Sequence, residues 1–417
     1  MPAVSVPERL VGHLLAGHPW LYADAVPTIP GVATGDFVAL ETPRRRPLGV
    51  ALYDGASPIA LRVLSTRGDE HPGPALWRRR IADALALRRL ALAGADDPGA
   101  RRRADPSQGP LALGETDAYR LIHGEGDRLP GVVVDVYAGH LALKLDTPAW
   151  MPHLQGLVAA LEEVAAPRGI YFKGVAGQRR AGAPAPGPEA APRVLSGAAP
   201  PDPVIVREHG MALQVSIQSG QKTGLFLDQR ENRALIRRWA RGREVLNLFS
   251  YTGGFSLAAA LGGATRVTSV DTAAGAIAGA RANFALSGLD LDEHEFVVGD
   301  AFAYLERCAA EERVFDLVIA DPPSFAPRRQ AVTKALRAYT RLHAQALAQV
   351  RPGGLFAASS CSSHITMDAF LGTLREAAAR VRRPLRLLEV RGEPADHPSF
   401  LHFPEGRYLK FVLMIAD

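Results

Sequence analysis

The sequence predicts an α/β chain whose C-terminal part is a doubly wound parallel sheet, preceded by a small, mostly β unit and a small α+β unit. Three observations predict it. A strand, a glycine turn and a helix follow one another across residues 244–261. Four further apolar runs then alternate with helical patterns, and polar residues stand at their ends. In the first 72 residues, short apolar runs are separated by closely spaced turn signals instead.

Residues 245–249 read as a buried strand. The run stops at Ser250-Tyr251-Thr252-Gly253-Gly254, and a helix-like stretch fills 255–261. Glycines lack Cβ, so a ligand can approach the backbone there. The turn lacks G-x-G-x-x-G and has no phosphate-binding Lys behind it, which points to a nucleoside-like ligand without a pyrophosphate. Alone, it could be an ordinary strand–helix connection. The next strands decide. Residues 267–270 end on Asp271, 17 residues past Gly254, where such folds hold ribose hydroxyls. Residues 295–299 end on Asp300, whose carboxylate can accept from an adenine amino group. Residues 315–320 lead into Asp321-Pro322-Pro323-Ser324-Phe325, and 355–359 into Ser360-Cys361-Ser362-Ser363-His364. Helical patterns occupy 273–287, 301–311, 330–350 and 367–380. One carboxylate at a strand end is usually a cap; three behind a glycine turn point to a site at the carboxyl edge of the sheet.

A length of 417 residues suggests two or three domains, and 47% apolar residues supply real cores. The net charge is +5, and only 5 of the 48 basic residues are Lys. An Arg bias suits bidentate phosphate contacts, although biased composition produces it too. Two cysteines, Cys308 and Cys361, make neither a disulfide scaffold nor a zinc site, and no metal is expected. With no signal-like segment and no long apolar run, a cytoplasmic protein without a membrane partner is expected.

In chain order, residues 1–72 give runs at 10–15, 37–41, 48–53 and 59–65. His18, Trp20 and Tyr22 lie close together, and Arg44-Arg45-Arg46 sits between two strands. Aromatics near Arg can stack on bases and hold phosphates; a buried Trp and a solvated charge run are the plain alternative. Residues 73–175 form the α+β unit. Its helix at 75–93 carries Arg78, Arg79, Arg80, Arg88 and Arg89 on what reads as a strongly basic side. A polar loop at 94–114, strands at 118–122, 131–137 and 140–144, a helix at 151–165 and a strand at 169–173 follow. Residues 176–203, dense in Gly, Ala and Pro, read as a linker. The last domain, 204–417, opens with a hairpin. A loop follows in which Gly220 and Gly224 bracket Gln221, Lys222 and Thr223, and then Asp228 and Arg230 start a helix.

These residues carry a resemblance. Gly17-His18-Pro19-Trp20, Asp127-Arg128-Leu129-Pro130-Gly131, Gly220-Gln221-Lys222-Thr223-Gly224 and Asp228-Gln229-Arg230 are four of its pieces. The others are Phe249 to Phe255, Val270-Asp271, Asp321 to Phe325, Ser360-Cys361-Ser362, Ala395-Asp396-His397-Pro398 and Pro404 to Lys410. Nearly end to end, the chain resembles the S-adenosylmethionine-dependent 23S rRNA cytosine-C5 methyltransferases that have an N-terminal PUA domain. The resemblance implies a PUA-like β-barrel at 1–72, a small α+β domain at 73–175 and a Rossmann-like class I methyltransferase domain at 204–417. It implies S-adenosyl-L-methionine held by Phe249, Tyr251, Gly253, Asp271, Asp300 and Asp321, with Gln221, Lys222, Thr223 and Asp228 nearby. His18, Trp20, Arg44, Arg45, Arg46, Arg78 and Arg79 become the RNA-binding candidates. Large-subunit rRNA or a ribosome precursor is the implied partner, and a homodimer is compatible with the pattern.

The implied chemistry needs a cysteine. Carbon 5 of cytosine is a poor nucleophile until a thiolate adds to carbon 6. Cys361, past the fifth strand, is the candidate nucleophile, and Asp321 the candidate partner of the base edge. Cys308, mid-helix, reads as a small buried hydrophobe. The chain departs from the family at Ser324, where relatives often carry Lys, and at Tyr339-Thr340-Arg341-Leu342, where they carry a Lys-Asp pair. Two other classes stay open: a methyltransferase of this fold acting on another base, such as guanine N7, and a non-catalytic RNA-binding assembly protein.

Overall fold

The computed structural model describes all residues except 27–28, 69, 93–110, 177–186 and 327. Contacts group the chain into two compact units. The first holds residues 1–210, 215–227 and 395–406; the second holds 211–214, 228–394 and 407–417. The sequence reading ran its last domain unbroken from 204 to the end. The two returning segments are polar or rich in Gly and Pro, so no periodicity announces where they pack.

The first unit opens with a five-stranded sheet in the order β1-β3-β4-β5-β2, formed by β1 (Ala3–Ser5), β2 (Trp20–Tyr22), β3 (Phe37–Glu41), β4 (Pro47–Tyr53) and β5 (Ile59–Ser65). In β3 every second residue is buried, as a half-covered strand requires. The run at 10–15 is not a strand but part of helix α1 (Glu8–Leu15). Pro7 precedes it and Glu8 stands in its first turn, while Leu10 and Leu14, one turn apart, meet the core.

A second sheet has the order β10-β9-β8-β7-β6. Its strands are β6 (Ala118–His123), β7 (Val132–Tyr137), β8 (His140–Leu145), β9 (Gly169–Val175) and β10 (Arg193–Gly197). Helices α2 (Pro74–Leu92) and α3 (Leu154–Ala165) pack with it. Trp77 of α2 meets Trp150 at 5.0 Å between ring centroids. Val50, Leu52 and Leu64 of the first sheet belong to the same core. Strand β10 lies inside the expected linker and pairs antiparallel with β9. Ladder pairing uses backbone groups, which a Gly/Ala/Pro-rich composition hides. Residues 177–186 of that linker, and the expected loop at 94–114 up to residue 110, lie outside the described residues.

A hairpin, β11 (Val204–Glu208) and β12 (Met211–Val215), leads on to α4 (Arg230–Trp239). The second unit then alternates β13 (Glu244–Leu248), α5 (Gly254–Leu261), β14 (Arg266–Asp271), α6 (Ala274–Leu286), β15 (Glu295–Val298), α7 (Ala301–Ala310), β16 (Phe315–Ala320), α8 (Val332–Ala348), β17 (Val350–Ser360) and α9 (Met367–Val381). It closes with β18 (Leu385–Arg391) and β19 (Lys410–Ala416). The order is β15-β14-β13-β16-β17-β19-β18. The first five strands are parallel, and β19 is antiparallel to both neighbours. This is the doubly wound sheet the sequence predicts, with two strands it did not. The exposed Leu387 and Val390 of β18 blur its pattern. The chain builds outward from β13 through β14 and β15, then resumes at β16 on the other side of β13. Ligands of open α/β sheets bind beyond the strand ends at such a reversal.

Candidate active site

The strand ends of the second unit carry the candidate site. Leu248 ends β13, and the turn after it is backbone-strained: Phe249, Tyr251 and Gly253 have φ of 59°, 47° and 77°. Left-handed conformations at two aromatic residues cost on the order of 1 kcal/mol each and persist only where the surroundings hold them. They are held. Ser250 N donates to Val270 O at 3.0 Å, Tyr251 N to Asp271 Oδ2 at 2.9 Å and Gly253 N to Ser250 O at 2.8 Å. Asn283 of α6 donates to Thr252 O at 2.8 Å. A Cβ at Gly253 would stand 2.8 Å from Ala280 Cβ, so only glycine fits there. Beneath the turn, Asn247 and Ser269 both bond Ser256 Oγ of α5, at 2.9 and 2.7 Å.

Asp271 is half-buried; its Oδ1 also accepts from Ala273 N at 2.9 Å. The carboxylate therefore fixes both the glycine turn and the next helix start. Asp300 is exposed and caps α7, its Oδ1 accepting from Phe302 N and Ala303 N at 2.9 and 3.0 Å. Asp321 ends its strand half-buried, and Gln229 Nε2 donates to its Oδ2 at 3.1 Å. The same Gln229 amide donates to Ser359 Oγ at 2.8 Å, and its Oε1 accepts from Asn232 at 2.6 Å. Gln229 thus ties β16 to β17. Asp228 is buried and accepts at Oδ2 from Tyr408 OH at 2.7 Å.

Cys361 follows β17 and is half-buried, between the buried Ser360 and Ser362. Tyr339 OH stands 2.8 Å from Ser360 Oγ and 3.1 Å from Ser362 Oγ. Ser324 Oγ is 3.1 Å from Ser362 Oγ. The loop after Asp321 and the loop holding Cys361 are thereby locked together. Both sequence departures, Ser324 and Tyr339, lie in this contact. Cys308, by contrast, is buried in α7, and burial pushes its thiol pKa up.

The remaining expected site residues lie in the first unit. Gln221 and Lys222 are exposed, and Lys222 Nζ stands 4.6 Å from the Phe226 ring centroid. Thr223 is buried, its hydroxyl donating to Asp135 at 2.5 Å beside Tyr137 OH at 3.0 Å, so its side chain anchors the loop. Trp20 is built in as well: its indole donates to Glu125 at 2.7 Å and its ring packs on Phe403 at 4.6 Å. His18 lies 3.6 Å from Glu405. Arg44, Arg45 and Arg46 form an exposed turn between β3 and β4. Arg78 is half-buried and Arg79 exposed, and they pair with Glu163 and Glu70. The basic side read from α2 needs correcting, because Arg80 and Arg88 are buried.

Sequence reasoning assigned no role to Gln229, Tyr339 or Lys410. Gln229 was legible only as part of Asp228-Gln229-Arg230. Lys410 had a signal of its own, a single cation heading an apolar run from Phe411 to Ala416.

The donor set fits an adenosyl ligand. Carboxylates at the ends of β14 and β16 accept what ribose and amino groups donate. A family model described as S-adenosylmethionine-dependent methyltransferase matches residues 119–405, and one described as a PUA-like domain matches residues 4–66. The chain is 39% identical over 414 residues to a "Ribosomal RNA large subunit methyltransferase" of Deinococcus radiodurans, covering 97% of this chain and 95% of the relative. It is 36% identical over 399 residues to a "Ribosomal RNA large subunit methyltransferase I" of Erwinia tasmaniensis, covering 95% of each. The crystal structure of SMU.776 complexed with SAH aligns over all of both chains with a TM-score of 0.83 at 25% identity. By sequence and by fold, this chain belongs to the S-adenosylmethionine-dependent methyltransferase family and carries a PUA-like domain near its N-terminus.

Proposed function

We propose that this methyltransferase forms 5-methylcytosine in large-subunit rRNA, with Cys361 as the nucleophile. The observation that carries the reading is the half-buried Cys361 at the end of β17, beside the Asp321 loop that ends the neighbouring parallel strand β16. The relatives' names supply the RNA class. S-adenosylmethionine, when bound, supplies an electrophilic methyl group on its sulfonium. Phe249, Tyr251, Gly253, Asp271 and Asp300 would hold it, with Gln221, Lys222, Thr223 and Asp228 as further candidates.

The chain's own groups do the rest. The Cys361 thiolate adds to carbon 6, which makes carbon 5 enamine-like and able to accept a methyl group. Asp321 in its protonated form, its Oδ2 steadied by Gln229, meets the base edge, gives a proton to ring nitrogen 3 and takes it back when the thiolate leaves. A base then removes the proton from carbon 5, the carbon–sulfur bond breaks and the thiolate returns. The target cytosine has to leave its stack to reach a strand-end site. Arg44, Arg45, Arg46, Arg78 and Arg79, with His18 and Trp20, are the candidates for holding the surrounding RNA, chiefly through phosphates.

The test incubates the protein with labelled S-adenosylmethionine and unmodified large-subunit rRNA, beside a Cys361→Ala variant, and digests the RNA to nucleosides. Label in 5-methylcytidine with the wild type, and its loss in the variant, is the expected outcome. Label in another nucleoside, indifferent to the substitution, overturns the cytosine reading and leaves the cofactor in place.

A further inference from the structure

We infer that Lys410 is a positioning residue for Cys361: its buried ammonium fixes the Ser360-Cys361-Ser362 loop and favours thiolate over thiol. This rests on the reading of Cys361 as the nucleophile. Lys410 is the first residue of β19 and is 3% exposed. In the antiparallel ladder it stands opposite Ser360, the residue before Cys361. Its Nζ donates to Ser362 O, the residue after Cys361, at 2.6 Å, and to Tyr408 O at 2.7 Å. One lysine therefore grips the loop on both sides of the thiol, by backbone register and by side chain.

The charge asks for more than that. A buried ammonium loses several kcal/mol of hydration unless an anion compensates it. Two carbonyls accept from two of its three N–H groups without supplying a full negative charge. The groups that act on it are few. The Glu393 Oε1 accepts from Tyr408 N and Leu409 N at 2.5 and 2.6 Å, so its charge is already engaged by the backbone. Tyr339 is neutral, its pKa raised mainly by burial. Burial draws Lys410 down to about 8, while Cys361 and then Glu393 act in the opposite sense. Such coupling is reciprocal. A thiolate that stabilises the ammonium is stabilised by it to the same extent. The sign then sets a pH window: the support is present while Lys410 is protonated and fades as pH rises through about 8. When the sulfur bonds to carbon 6, its charge passes to the base, so the ammonium acts most strongly on the free thiolate.

The test needs no RNA. Alkylation of Cys361 by iodoacetamide is followed across pH in the full chain by peptide mass spectrometry, with buried Cys308 as the slow internal control. In the wild type the midpoint is expected below the ordinary thiol value of about 8.5. Lys410→Met is expected to raise the midpoint by about one unit and to slow alkylation at pH 7 about tenfold, and Lys410→Arg to keep most of the rate. A wild-type midpoint at or above 8.5 overturns the inference without any variant. So does an unchanged midpoint in Lys410→Met when its S-adenosylmethionine affinity is intact. The two ideas fail separately: methyl transfer surviving in Cys361→Ala removes the nucleophile reading but leaves the titration, whereas an ordinary midpoint with dead Cys361→Ala removes only the role of Lys410.

Discussion

The buried arginines of the first unit and the strand-end groups of the second put polarity to different uses. In the first, arginine is scaffolding. Arg88 is fully buried; it grips both Asp127 oxygens and the carbonyls of Arg120 and Asp396. Arg80 is buried on Glu70, Arg120 pairs with the buried Asp135, and Arg62 with Glu125. In the second, the groups at the strand ends stay within reach of solvent: Asp271, Asp321 and Cys361 are half-buried and Asp300 is exposed. The lesson is that a count of basic residues overstates the surface offered to RNA. On α2, Leu76, Arg80, Ala84 and Arg88 recur every four residues and form one buried stripe. Only Arg78, Arg79 and Arg89 of its five arginines near the polar face remain outside.

Arg88 is where that contrast breaks with the largest effect. Arg88→Met leaves Asp127 buried, with His123 N at 2.6 Å as a remaining donor but no counter-charge. Removing one partner of a buried pair costs about 3–5 kcal/mol. Thermal or urea unfolding should show the loss, and Arg88→Met with Asp127→Asn should recover part of it, because the orphaned charge is gone. A change under about 1 kcal/mol would mean that the pair is replaceable packing and that the first unit does not depend on it.

Gly253 gives the next largest effect, and it falls on binding. Gly253→Ala puts a methyl 2.8 Å from Ala280 Cβ at a φ of +77°. A distorted turn should weaken S-adenosylmethionine binding at least about tenfold, near 1.4 kcal/mol, by calorimetry. Adding Ala280→Gly removes the clash but not the left-handed φ, which costs a side chain on the order of 1 kcal/mol. Partial rescue is therefore expected; full rescue would show that backbone strain is unimportant there.

The difference between the units also explains what the sequence disclosed. The strand–turn–helix at Val245 to Leu261 and the strand-end places of Asp271, Asp300 and Asp321 were legible because a parallel sheet repeats one period, strand after strand. Strands β18 and β19 were not, since an antiparallel return after a long polar stretch follows no such rule. Nor was the part played by Gln229, which reaches Asp321 and Ser359 from 92 and 130 residues away in the chain. Long-range hydrogen bonds leave no local pattern. The buried arginines lay between these cases: the fourfold spacing was present, but residue type argued for the surface.

The smallest effect tests the surface that remains. Arg44, Arg45 and Arg46 occupy a turn closed by Arg45 N on Thr42 O and Arg46 N on Thr42 Oγ1, bonds that use backbone rather than guanidinium groups. Replacing all three with Ala should change stability by less than about 0.5 kcal/mol, unlike Arg88→Met. If the guanidiniums meet phosphates, each lost contact lowers the slope of log K against log salt by about 0.7 on single-stranded RNA. Two to three contacts then lower it by about 2, with weaker binding to every sequence alike. Filter binding across a salt series reads both quantities. An unchanged slope would make the turn a solvated charge run, and the RNA face would have to be sought at Arg78 and Arg79. Those two start from a weaker position: Arg78 is already paired at the surface with Glu163, a pair worth up to about 1 kcal/mol, and Arg79 with the largely covered Glu70, so phosphate has to displace a carboxylate at either.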